Sequence, residues 1–139
     1  MRNHFKINGR RGTFLLLFSS VYLIVGTSFL LTPGAGTRQV SLHWLSAHFP
    51  LEPFAALWVV AGALGVVAAF MPRPRDWFGF SALVFAPAVW SALFLIGGIL
   101  GSPTAVTSAA VYCLFAAAPM IVSGMQGERD RDIRTPHEP

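Results

Sequence analysis

The sequence predicts an all-α polytopic membrane protein: four transmembrane helices in an antiparallel bundle, with a short interfacial helix in the first outer loop. Of the 139 residues 54% are hydrophobic and only 12% charged, too few polar groups to cover a soluble globule. The apolar residues gather into four stretches, each close to the roughly 20 residues that a helix rising about 1.5 Å per residue needs to cross a hydrocarbon core. Nine of the ten Lys and Arg residues then fall in alternate gaps: Arg2, Lys6, Arg10 and Arg11 before the first stretch, Arg73 and Arg75 between the second and third, and Arg129, Arg131 and Arg134 after the fourth. Arg38 alone departs from this pattern. Basic residues accumulate on the cytoplasmic side, so the expectation is a multi-pass protein of the cytoplasmic membrane with both termini inside.

The same distribution accounts for the net charge of +4. Asp76, Glu128, Asp130, Asp132 and Glu138 lie on the basic side, and outside Arg38 is matched by Glu52. The whole surplus is therefore cytoplasmic, where it holds orientation and attracts anionic head groups. The lipid bilayer is the partner this implies, and no nucleic acid is expected.

Residues 1–12 read as a basic cytoplasmic arm in which Gly9 and Gly12 discourage a helix. The first span covers 13–31, longer than the h-region of a secretory signal, and Pro33-Gly34-Ala35-Gly36 departs from an A-x-A cleavage site. It is expected to remain as a span. Thr32-Pro33-Gly34-Ala35-Gly36 stops that helix, and Thr37 caps a short one through Phe49 that Pro50 ends. Leu42, Leu45 and Phe49 recur at i, i+3 and i+7, as on an interfacial helix, with Trp44 anchored among head groups.

The second span covers 53–71. Pro72-Arg73-Pro74-Arg75-Asp76 is a tight cytoplasmic turn, which makes the second and third spans neighbours. The third span covers 77–100, anchored at the interface by Trp77, and Gly101-Ser102-Pro103 turns the chain into the fourth, 104–124. Together residues 13–124 form the transmembrane domain, and 125–139 a charged, solvated cytoplasmic tail. The single Cys113 has no partner for an intramolecular disulfide and reads as a small apolar residue.

No Asp, Glu, Lys, Arg or His falls in a span core. Proton relays, ion-coupled carriers and intramembrane hydrolases place such groups there. The expectation is a protein that is not an enzyme, with no catalytic, cofactor or metal site. His43 and His48 come nearest to a metal pair, but a helical spacing of five sets them about 140° apart, and they read as solvated interfacial residues.

Polar and small residues do recur on particular helix faces. Ser19, Tyr22, Trp90, Ser91 and Tyr112 are the candidates for a polar bundle interior. Tyr22 and Trp90 sit mid-span, where lipid cannot satisfy their polar hydrogens, so each needs an acceptor inside the bundle. The neighbourhoods of Ser19 and Ser91, or the backbone oxygen freed by Pro87, are the candidates. Ala61-x-x-x-Gly65 and Gly97-x-x-x-Gly101 are the candidate helix-packing motifs, because small residues let membrane helices approach closely.

The stretch Trp58-Val59-Val60-Ala61-Gly62, then Pro72-Arg73 to Asp76, Gly79-Phe80 and Pro87 to Trp90, about the middle third of the chain, resembles small four-span membrane proteins of actinobacteriophages, some from lysis regions. That resemblance implies a holin-like or lysis-accessory protein that self-associates to permeabilise the cytoplasmic membrane. From the residues themselves three classes stand open: such a self-assembling homo-oligomer, a non-catalytic accessory subunit of a larger membrane complex, and a four-helix protein binding a small ligand or lipid.

Overall fold

Backbone polar groups in an apolar stretch of this length find partners only within their own helix when the surroundings are lipid. A computed structural model describes residues 9–32, 42–47, 50–72 and 75–124. They form α1 (Gly9–Leu31), α2 (His43–Ser46), α3 (Glu52–Ala69), α4 (Trp77–Ile99) and α5 (Pro103–Gly124), with no strand among the described residues. Helices α1, α3, α4 and α5 are each long and apolar enough to cross a membrane. The protein is an all-α four-helix bundle.

The helix ends follow local chemistry, with one exception. Pro53 sits in the first turn of α3 and Pro103 opens α5, positions where a missing N–H costs nothing. At the end of α4, Gly101 takes φ +103°. Its N–H reaches the Gly98 carbonyl at 3.2 Å, and the Ser102 N–H reaches that of Gly97 at 3.1 Å. This pair of bonds is a Schellman cap. It corrects the expectation for Gly101, which ends α4 and lies on no helix face; Gly98 instead meets α5, where an added Cβ would stand 2.6 Å from Val106 Cγ2.

The exception is α1. It begins at Gly9, ahead of the predicted Thr13, and so takes in Arg10, Arg11 and Gly12. Glycine propensity argued against helix there, but Arg11 is held by contacts to α4, and tertiary packing overrides a weak local preference. The outer-loop helix is also shorter than the predicted 37–49. Leu42 and Leu45 are buried in the bundle core and Trp44 is half-buried against it, so α2 packs onto the bundle. His43 is exposed, while Arg38, His48 and Phe49 lie outside the described residues, as do the arm 1–8, Arg73, Pro74 and the tail 125–139.

Neighbours in space follow neighbours in sequence. Helix α1 packs along α3, α3 along α4, and α4 along α5, while α1 meets α4 only slightly. The inner pair, α3 and α4, is the more buried, with α1 and α5 on the flanks. Glycine sets the closest approach of α1 to α3: a Cβ on Gly26 would stand 2.9 Å from the Val59 nitrogen, and one on Gly62 would stand 2.9 Å from the Ser19 carbonyl oxygen. The sequence motif Ala61-x-x-x-Gly65 belongs to this region too, with Ala61 buried and Gly65 facing Ser19. Between α1 and α5 the backbones stand apart, and aromatic side chains fill the space.

Candidate functional site

The interior is an aromatic column. At one end of the bundle Phe14 stacks on Phe18 (4.3 Å between ring centroids) and lies parallel to Phe80 (6.1 Å). Phe18 then leads to Tyr22 and across to Phe115 of α5. Tyr22 meets Trp58 edge-on at 4.7 Å, and Trp58, Trp90, Phe94 and Tyr112 continue the column with centroids between 5.3 and 6.5 Å apart. These spacings leave the rings in contact with one another, and each pair adds about 0.5–1.5 kcal/mol beyond its buried area.

Cross-helix hydrogen bonds fix the column. The Tyr22 hydroxyl lies 2.7 Å from the Leu83 carbonyl oxygen and 3.4 Å from that of Phe115. Both oxygens are freed by prolines: Pro87 and Pro119 stand four residues later inside α4 and α5 and lack the N–H that a helix would supply. One buried hydroxyl thus joins three helices at two prolines. The Trp90 indole N–H donates to the Phe54 carbonyl at 3.0 Å, tying α4 to α3, and the Ser91 hydroxyl donates to that of Ala109 at 2.8 Å, tying α4 to α5. Ser19 is fully buried beside Gly65, and Tyr112 is half-buried among Trp58, Trp90 and Phe94.

Of the five residues expected inside, Tyr22, Trp90 and Tyr112 share the aromatic column, Ser91 ties α4 to α5, and Ser19 lies against Gly65. Tyr22 uses the Pro87-freed oxygen, and neither Ser19 nor Ser91 serves Tyr22 or Trp90. Replacing Tyr22 with phenylalanine is expected to cost about 1 kcal/mol, the scale of a side-chain hydrogen bond in a membrane bundle. In a Pro87→Ala background, where α4 regains its own donor to Leu83, that cost should shrink. Detergent unfolding of the four variants measures the difference; an unchanged cost would contradict the proline link.

The end of the bundle that carries Arg11 and Asp76 holds a contact not expected from the sequence. The Arg11 Nε donates to Asp76 Oδ2 at 2.9 Å, with the side chains 12% and 3% exposed. Its guanidinium lies over the Phe80 ring at 4.5 Å. Both charges had read as loop or arm residues on the basic side. The available signal was their charge, since opposite charges at the N-termini of two parallel spans, the first and the third, stand at the same end of the bundle and can meet.

Outside the core, α1 carries a second ordered face. Thr13, Leu17, Ser20, Ile24, Thr27 and Leu31 are all exposed and alternate at spacings of four and three. The buried face, Gly12, Leu15, Ser19, Tyr22 and Gly26, runs at spacings of three and four on the far side. The hydroxyls of Thr13, Ser20 and Thr27 donate to carbonyls of their own helix, those of Gly9, Leu16 and Leu23. Such back-bonding lets them sit in lipid without an orphaned donor. Trp77, at the first position of α4, is 67% exposed, and Cys113 of α5 is exposed as well.

No family model, curated protein or solved structure matches this chain. The chemistry of the interior must therefore be read from its own groups. Tyr22, Trp90 and Ser91 are committed to main-chain oxygens, and among the described residues no three His, Cys, Asp or Glu side chains come together. The interior joins helices, and the unassigned surfaces are lateral ones.

Proposed function

We propose that this small integral membrane protein is holin-like: it self-associates in the cytoplasmic membrane and permeabilises it. The observation that carries this reading is the outer face of α1. Leu17, Ile24 and Leu31 recur every seven residues, and Thr13, Ser20 and Thr27 fall between them at the same period. A sustained heptad with apolar residues at one position and small hydroxyls at the other suits left-handed packing against an identical helix. The candidate helix-packing residues Ala61, Gly65 and Gly97 are buried within the single chain. They hold the protomer together, and on this reading the seam between copies lies on the heptad face of α1.

The hydroxyl stripe also supports permeabilisation. When copies meet through α1, Thr13, Ser20 and Thr27 line the contact and can exchange their own-helix carbonyls for water or for each other. Arg10, Arg11 and Arg75 at one end of the bundle fit the cytoplasmic assignment of that end. Controlled expression in a bacterial host tests the function. Abrupt loss of membrane potential at a threshold level is expected; accumulation with the potential intact overturns the permeabiliser. Recovery of a defined membrane partner at fixed stoichiometry in mild detergent would favour an accessory subunit instead.

A further inference from the structure

An open groove of about 510 Å³ runs down α4 at the Arg11 end of the bundle, between the flanking helices α1 and α5. Its mouth is formed by Arg11, Trp77 and Ser123, and beneath them lie Val84, Ala88 and Met120. From Trp77 to Ala88 the wall extends about 16 Å along the helix. Polar groups thus stand at the level where a span meets head groups, and apolar ones follow at the level of acyl chains. This end of the bundle is also basic. Arg10 and Arg75 are exposed and adjoin the Arg11–Asp76 pair in sequence, so the end carries three arginines to one carboxylate. A guanidinium has five N–H donors, and the bond to Asp76 uses that of Nε.

We propose that this groove binds one anionic phospholipid, its phosphate at the Arg11 mouth and an acyl chain against Val84, Ala88 and Met120. Basic pockets between spans recognise anionic head groups in this way, and the groove's depth suits a chain that follows its head group into the bilayer. The site is built from α1, α4 and α5 of one chain and does not depend on self-association. Its occupant is a lipid and not a free anion, because most of the lining is apolar.

Native mass spectrometry of the full chain in detergent, with phosphatidylglycerol or phosphatidylcholine added, tests the site. Phosphatidylglycerol is expected to be retained at one per chain and at least about fivefold more tightly, the effect of a single basic residue at an anionic surface. Ala88→Trp fills the groove from an exposed position and leaves the ion pair untouched; it should abolish retention without changing the melting temperature of the lipid-free protein. Arg10→Gln with Arg75→Gln should bring the two lipids close to parity. Excess inorganic phosphate should displace nothing. Equal retention of both lipids, undiminished retention by Ala88→Trp, or displacement by phosphate would each overturn the proposal.

Discussion

Replacing Asp76 with alanine is expected to destabilise the protein by about 3 kcal/mol, the cost of removing one partner from a buried ion pair. The carboxylate is 3% exposed and its partner Arg11 12%. The change would leave a guanidinium inside the bundle with only the Phe80 ring against it. Asp76 also stands at the N-terminus of α4, where the helix dipole favours an acid, so two favourable terms go together. Because Arg11 lies near the end of α1, its side chain can extend toward water and recover part of the loss. Replacing both partners by apolar residues, Arg11→Met with Asp76→Leu, should restore most of the stability, since a buried pair contributes little net energy over well-packed hydrophobic groups. Circular-dichroism melting in detergent separates these outcomes. If Asp76→Ala melts with the wild type, the pair does not hold α1 against α4.

Gly79→Ala is expected to cost about 2 kcal/mol, within the range for overpacking a filled core. The added methyl would collide with the Ala68 Cβ, and neither group has a rotamer with which to move aside. Helices α3 and α4 would have to separate at the level where Phe80 and Leu83 are packed. The remedy is to exchange the small residue across the interface. Ala68→Gly with Gly79→Ala should recover all but the roughly 1 kcal/mol that a glycine costs a helix interior. Equal melting temperatures for the single and double variants would show that the two backbones do not meet there.

Both positions show what a sequence with this composition reveals and what it hides. Span number and neighbour order were legible because apolar length and short connections are one-dimensional quantities, read directly from 53–71, 72–76 and 77–100. The inward orientation of Tyr22 and Trp90 was legible for a related reason, since lipid offers no acceptor to a mid-span hydroxyl or indole. The acceptor of Tyr22 was among the candidates, the oxygen freed by Pro87, whereas that of Trp90 was not: Trp90 takes the Phe54 carbonyl, a partner 36 residues away that only the packing of α4 on α3 creates. Small residues were ambiguous in the same way. Gly65 and Gly101 look alike in a small-xxx-small pattern, yet one packs a helix against Ser19 and the other adopts a left-handed cap. The outer stripe of α1 was present in the sequence but not separable from the opposite face, which carries polar residues at the same spacing. Burial decides between two faces of equal periodicity, and burial is a property of the bundle.

A seam on α1 brings two copies of that helix side by side in the membrane, where cross-linking reads their proximity. Ile24 on α1 and Leu114 on α5 are comparably exposed, 67% and 71%, so lipid contact alone does not distinguish them. In a Cys113→Ala background, Ile24→Cys and Leu114→Cys would each be treated in membranes with a short bifunctional maleimide. A cross-linked dimer through Ile24→Cys, with Leu114→Cys remaining monomeric, is the expected result. Cross-linking at Leu114→Cys alone, or monomer in both variants, would contradict it.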